Sequence, residues 1–252
     1  MVGIVDSRVQ YIYEPIENEL GNVIQSLKQL VQSAGPVEGP LLQHSLSTSG
    51  KKLRPALTLL SARFHAEPND STIVMATAVE LLHLASLIHD DTVDNSSTRR
   101  GQATISSLWG NKMAVLLGDY LFATSATYVC ETNNVRVIRR FSKAIMELAK
   151  GEMSEELANH DWNKSVAEYT ERIYNKSASL FSTGSECGAI LSGANESIIQ
   201  ALKDYGYNLG MAFQIMDDVL DFLGNEDELG KPVGNDLLQG TITLPCLLFV
   251  KQ

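Results

Sequence analysis

Residues 71–94 read STIVMATAVELLHLASLIHDDTVD. From Ser71 to Asp91 the run is apolar almost all round, with Ile73, Val74, Met75, Val79, Leu81, Leu82, Leu84, Ala85, Leu87 and Ile88 leaving no polar stripe. A helix without a polar face belongs at the centre of a protein, sheathed by other helices. Working outward, residues 8–33 place Val9, Ile12, Ile16, Leu20, Val23, Leu27 and Leu30 at steps of three or four, the single stripe of an amphipathic helix. Gly35-Pro36 and Gly39-Pro40 punctuate its end, a second helix starts near Leu41 and is interrupted around Ser49-Gly50, and Pro55 opens the next. Residues 95–104 read as a polar loop and 105–130 as a second, largely apolar helix, followed by a turn at Thr132-Asn133-Asn134. Helices near 135–158, 165–192, 196–223 and 240–251 complete the pattern. No alternating strand pattern of useful length and no repeat at solenoid period interrupts it. The expected fold is all-α, one domain over residues 1–252.

Composition agrees. The chain has 252 residues, 44% of them hydrophobic, enough for a sizeable core, and only 7 prolines to break helices. Twenty basic against 30 acidic residues give a net charge of −10, which argues against nonspecific nucleic-acid binding. Cys130, Cys187 and Cys246 are scattered inside apolar runs with no CxxC pair, and read as reduced core thiols of a cytoplasmic protein. Met1 to Val5 is too short an apolar run for a signal peptide. No uninterrupted apolar stretch approaches ~18 residues, so no membrane span is expected.

The central helix ends in His89-Asp90-Asp91-Thr92-Val93-Asp94. Asp90 and Asp94 are four apart and share one face of the last turn. Carboxylates crowded at a helix C-terminus repel each other and oppose the macrodipole, so a cation should compensate, and Mg²⁺ is the natural candidate. A lone DDxxD is as readily an acidic helix end in solvent. A second copy, Asp217-Asp218-Val219-Leu220-Asp221, again follows an apolar helical run. Two such patches suggest facing walls of one cavity, with metals shared with a phosphorylated ligand. Gly50-Lys51-Lys52-Leu53-Arg54-Pro55 and Arg99-Arg100-Gly101 supply cations suited to phosphate oxygens, although each alone reads equally as solvated surface. His83 lies seven residues before Asp90 on nearly the same face, and reads either as a ligand or as a satisfied core histidine.

Taken together these residues resemble the trans-isoprenyl diphosphate synthases, or polyprenyl synthetases. The matching motifs are GKKLRP (50–55), ExxHxxSLIHDDxxD (80–94), RRG (99–101), Lys176-Ser177, GMAFQIMDDVLD (210–221) and GKPVGNDLLQGTITLP (230–245), in the family's order along the chain. The resemblance implies a helical bundle around a deep central cavity, with both aspartate motifs at its mouth and about three Mg²⁺ ions. By motif position Asp90, Asp94 and Asp217 are implied as direct metal ligands, with Asp91, Asp218 and Asp221 in or near the coordination sphere. Arg99, Lys176, Gln214 and Lys231 would hold the allylic diphosphate, with Ser177 beside them. Lys51, Arg54, His83 and Arg100 would hold isopentenyl diphosphate. The implied reaction is a head-to-tail trans condensation, and the implied assembly a homodimer with residues 105–130 at the interface.

In the family, bulky aromatic residues four or five positions before the first aspartate stop chain growth. Here those positions are Ser86 and Ala85, both small, ~6–7.5 Å below the aspartates. The expectation is a product of C30 or longer, with Phe122 or Tyr128 as a deeper floor, although Ala85 and Ser86 could simply pack helix on helix. The alternatives are a C15–C20 synthase or an inactive partner subunit. Ser49, Lys52 and Ser177 depart mildly from the family pattern, and family members usually continue for several helices beyond Gln252, so the chain is expected to lack the last of them. An HD-type phosphohydrolase leaves the second DDxxD unexplained, a di-iron bundle needs two ExxH motifs where one is present, and a terpene cyclase carries a different second metal motif.

Overall fold

The computed structural model describes residues 10–47, 50–224 and 233–250. The helices, in chain order, are α1 (Gln10–Tyr13), α2 (Glu17–Ser33), α3 (Glu38–Ser47), α4 (Leu53–Arg63), α5 (Asp70–Val93), α6 (Ile105–Trp109), α7 (Asn111–Glu131), α8 (Val135–Ala158), α9 (Val166–Ile173), α10 (Ser179–Leu191), α11 (Glu196–Leu223), α12 (Asn235–Leu238) and α13 (Leu244–Val250). A single π-helical segment, Tyr174–Ala178, joins α9 to α10, and a two-stranded hairpin, β1 (Thr98–Arg99) with β2 (Gln102–Ala103), follows α5.

α5 is the axis, as its composition requires. Asn69 caps it, its side chain accepting from Thr72 N. Two stripes of α5 enter two cores. Leu81, Leu84, Ala85 and Ile88 pack with residues of α2, α3, α4 and α7. Met75, Ala78, Val79 and Leu82 pack with Val129 of α7, Val137, Phe141 and Leu148 of α8, and Leu180 and Cys187 of α10. A third, smaller core joins Tyr169 and Ile173 of α9, Ala178, Met211 of α11, and Ile242, Cys246 and Leu247 near the described C-terminal end.

The structure alters four of the expected helices and one expected loop. The 8–33 helix is broken by a 3₁₀ turn at Glu14–Ile16, because Pro15 offers no N–H and crowds the preceding turn; residues 8 and 9 lie outside the described residues. The 105–130 helix is split at Gly110, whose φ of 85° no helix accommodates. The 165–192 helix carries the π segment, and the 240–251 helix starts only at Leu244, after Gly240 at φ 89°. The polar loop at 95–104 contains the hairpin, whose strands of two residues are too short to alternate visibly.

Two helices, α5 and α7, are long and apolar enough to cross a membrane by length and composition, with mean hydropathies of 1.7 and 1.3. The test is one that a core helix also passes, and α5 is such a helix. α7 keeps Val115, Leu116 and Tyr120 exposed, a stripe left uncovered within one chain.

Candidate active site

The last turn of α5 carries the first aspartate group. Asp91 is buried, and its Oδ1 accepts from Arg99 Nε at 2.7 Å, so it orients that arginine. Asp90 is half-buried. Burial pushes its carboxyl up to about 8, the nearby Glu152 pushes the same way, and Lys176 and Arg99 oppose both. Asp94 stands exposed, one turn farther along.

Lys176 faces this group from the π segment. Its Nζ donates to Glu155 Oε1 at 2.8 Å and to Glu152 Oε2 at 3.2 Å, both on α8. Burial works against its charge, but Glu155, Glu152 and Asp90 outweigh burial and hold the ammonium protonated. The π segment is wedged between two glycines that permit backbone contact. A Cβ on Gly151 of α8 would sit 2.6 Å from Lys176 N, and one on Gly210 of α11 would sit 2.6 Å from Ala178 Cα. The extra residue of a π turn re-aims its neighbours, which is why such turns recur at functional sites.

Ser177, the next residue, turns to the other wall. Its hydroxyl donates to Gln214 Oε1, and Gln214 Nε2 donates to Asp218 Oδ1 at 2.8 Å. Tyr169 OH donates to Asp218 Oδ2 at 2.7 Å. Asp218 is buried; burial raises its pKa, and the bonds from Gln214 and Tyr169 restrain that rise. Asp221 is fully buried, and its Oδ2 accepts from Asp236 N at 3.2 Å while its carbonyl accepts from Gly234 N at 2.7 Å. It therefore fixes the chain ahead of α12. Asp217 is half-buried on the same turn. Lys231 lies outside the described residues.

The cationic residues also converge. Arg54, near the start of α4, meets His83 of α5, with Nη1 3.2 Å from Nε2, and its guanidinium lies 4.4 Å from the centroid of the Phe181 ring. Burial lowers Arg54 to about 10, with Glu80 opposing and Arg100 adding to the drop. Burial, then Arg54, Arg100, Arg99 and Lys52, hold His83 well below its ordinary 6.5, so it is neutral. Arg100 reaches the same loop, since a Cβ on Gly50 would sit 2.7 Å from its guanidinium. Lys51 is exposed, and Lys52 pairs with the buried Glu80 at 2.9 Å.

Of the two small residues below the aspartates, Ser86 lies on the Asp90 face and its hydroxyl donates to His83 O at 2.9 Å. Ala85 is fully buried on the other stripe, in the core toward α2, α4 and α7. Phe122 and Tyr128 of α7 pack against both of the larger cores.

A sequence model of the family described as polyprenyl synthetase matches residues 39–252. The chain is 40% identical over 241 residues to heptaprenyl diphosphate synthase component 2 of Geobacillus stearothermophilus, covering 95% of this chain and 75% of the relative. It is 37% identical to octaprenyl diphosphate synthase of Haemophilus influenzae, covering 95% and 72%. The crystal structure of a polyprenyl synthase from Caulobacter crescentus, complexed with calcium and isoprenyl diphosphate, superposes with a TM-score of 0.92 at 38% identity, covering 96% of this chain and 74% of that one. This chain belongs to the polyprenyl synthetase family.

The family's divalent metal can be tested against these side chains. Among the described residues no three acidic, histidine or cysteine side chains form a ready-made cage. Mg²⁺ does not need one: it keeps several waters and takes one or two carboxylates plus substrate phosphate oxygens. The donors around Lys176 are hard carboxylate oxygens, and Asp90, Asp94, Glu152 and Glu155 outnumber the lysine that serves them. That excess of carboxyl groups over the lysine fits the ion, whose charge would let them ionise.

Four residues of this polyprenyl synthetase site escaped the sequence. Glu152 and Glu155 sit on an amphipathic helix whose polar face looks like any solvated one. Tyr169 is 49 residues from Asp218, and Phe181 lies in an apolar run. Motif spacing carries no signal for such distant partners.

Proposed function

We propose that the chain is a Mg²⁺-dependent trans-prenyltransferase that condenses isopentenyl diphosphate with an allylic prenyl diphosphate to give a product of C30 or longer. One observation carries the reading: Lys176 and Ser177, adjacent on a π turn, engage the carboxylates beside the first aspartate motif and the Gln214–Asp218 pair of the second. A single backbone feature thereby ties both acidic walls to one anion-binding lysine.

In this reading Asp90, Asp94 and Asp217 hold the metal ions, which when bound neutralise the diphosphate and stabilise it as a leaving group. Arg99, aimed by Asp91, and Lys176 bind the allylic diphosphate, with Gln214 alongside. Lys51, Arg54, neutral His83 and Arg100 bind isopentenyl diphosphate without metal. The allylic C–O bond breaks with its electron pair leaving on the diphosphate, the double bond of isopentenyl diphosphate forms the new C–C bond, and a proton is lost from the adjacent carbon. These fixed charges act where negative charge develops, and the apolar walls of α5, α8 and α10 keep water from the cation.

Product length follows from the stripe below Asp90. Ser86, Leu82, Val79 and Met75 continue the Asp90 face for fifteen residues, or ~22 Å, with no Phe, Tyr or Trp on α5. Phe141 of α8 and Tyr128 of α7 pack against its lower part, whereas Phe122 sits higher than a deep floor requires, its ring 5.2 Å from that of His89 beside Asp90. The exposed α7 stripe suits a homodimer; that the G. stearothermophilus relative is named component 2 favours, as a second reading, pairing with a different subunit. Cys187 and Cys246 are buried as core thiols, whereas Cys130 is exposed and is not one; the three free, scattered thiols suit a cytoplasmic setting.

The test is incubation with farnesyl and isopentenyl diphosphates and Mg²⁺, read by mass spectrometry beside an Asp90→Ala control. Products of C30 or longer are expected. An active enzyme stopping at C20 refutes the length, and no turnover by the chain alone, restored by a second subunit, favours the heteromeric reading.

A further inference from the structure

Arg99 and Arg100 sit on a hairpin whose geometry is demanding. Thr98 pairs with Ala103 and Arg99 with Gln102, so Arg100 and Gly101 are the two turn residues, at φ 51° and 74°. Positive φ at both central positions is the type I′ arrangement, which glycine and asparagine adopt readily and arginine does not. Such a turn persists only when its surroundings hold it. Three contacts do so. The Asp91–Arg99 pair holds β1, and Thr104 closes the base, its hydroxyl donating to Ser96 O at 2.8 Å and its N–H to Ser97 O at 3.1 Å. The third comes from 59 residues away: His44 of α3 places Nε2 2.7 Å from Ala103 O. Thr98 and Ala103 lie between bonded pairs of the ladder, so the Ala103 carbonyl points out of the hairpin, toward α3. The His44 ring is itself fixed edge-on against Trp109, with centroids 5.4 Å apart. A cavity of about 30 Å³, room for one water, lies between His44, Asp91, Arg99 and Arg100.

We propose that His44 is a positioning residue that latches the Arg99–Arg100 hairpin to α3 and so sets substrate affinity without touching substrate. An acceptor carbonyl requires a proton on Nε2, so the latch fixes the tautomer of His44. The proposal rests on reading Arg99 and Arg100 as diphosphate ligands, and the test separates the two. His44→Met removes the donor at similar volume, and His44→Gln keeps an N–H. Loss of one hydrogen bond is worth about fivefold, so His44→Met is expected to raise KM for the diphosphate substrates about fivefold with kcat little changed, and His44→Gln to restore most of it. Arg100→Ala, run alongside, should raise KM for isopentenyl diphosphate. If Arg100→Ala raises KM and His44→Met does not, the latch is overturned; if Arg100→Ala leaves KM unchanged, the diphosphate reading of the hairpin fails instead. A second check, independent of kinetics, is long-range ¹⁵N–¹H correlation on the unsubstituted protein, the His44 signal assigned by its absence in the conservative His44→Gln variant. An Nε2–H tautomer with slow exchange is expected, and an Nδ1–H tautomer overturns the proposal.

Discussion

Asp90→Asn should stabilise the metal-free protein at alkaline pH while abolishing its activity. In the unfolded chain Asp90 ionises near 3.8; in the folded protein burial and Glu152 hold it protonated up to about 8. Between those values the folded state binds more protons than the unfolded one, so stability is fully present at low pH and falls as pH rises toward 8. A gap of about four units, at ~1.4 kcal/mol each, sets a ceiling near ~6 kcal/mol. Asp90 retains partial exposure and Lys176 stands close by, so about half, ~3 kcal/mol, is the realistic cost at pH 8.5. Asparagine at this position removes that cost, and for a chain of this length ~3 kcal/mol corresponds to a rise of ~6–12 °C in Tm. The assay is urea unfolding and thermal melting of both proteins from pH 4 to 8.5 in chelator, then with Mg²⁺ and inorganic pyrophosphate. The two should coincide near pH 4 and diverge upward, and the ligands should stabilise the unsubstituted protein far more than the variant. A difference that does not vary with pH, or no gain at pH 8.5, would refute the assignment of a destabilising charge to Asp90.

Ser86→Phe sets an aromatic ring on the Asp90 stripe ~6 Å below the carboxylate, and mass spectrometry should show shorter products; an unchanged length distribution removes Ser86 from the growth path. Gly151→Ala drives a Cβ to 2.6 Å from Lys176 N, so ~1–3 kcal/mol of stability should be lost and KM for the allylic substrate should rise, measured by urea unfolding and steady-state kinetics. His83 has its pKa held well below 6.5 by burial first and then by Arg54. The unfolded chain therefore takes up a proton that the folded protein refuses, so this stability is present above pH 6.5 and lost as pH falls below it. His83→Gln should flatten the acid side of the stability profile, and an unaltered profile counts against the neutral assignment.

The axis of the fold was legible because α5 is apolar on every side, a pattern with few other meanings. The aspartate motifs were legible as spacing. It could not distinguish Asp217 from Asp218, since the distinction lies in what each meets: Asp218 is bonded by Tyr169 and Gln214. The π turn was invisible because residues 177–190 are buried almost throughout, so an inserted residue shifts no polar stripe. The hairpin left one local trace, Arg100-Gly101. An arginine at positive φ is rare enough that the dipeptide read only as a basic motif.

The pKa directions divide the site into two halves with opposite needs. Around Lys176 the carboxyl groups are raised: Asp90 most of all, and Glu152 with it, by burial before any charge effect. Around Arg54 the cations are lowered: Arg54, His83 and Arg100, again by burial first. One half thus holds more negative charge than its surroundings solvate, and the other more positive. In the proposed reading a metal-bound diphosphate relieves the first, since it would bring cations to the carboxyl groups and anionic oxygens to Lys176 and Arg99. In the same reading a diphosphate without metal relieves the second, where cations predominate and the carboxylate of Glu80 is already paired with Lys52. The overall charge of −10 is therefore no obstacle to anionic substrates. In the proposed reading each diphosphate goes to the half whose charge it compensates, with Arg99, which acts on both Asp90 and His83, between them.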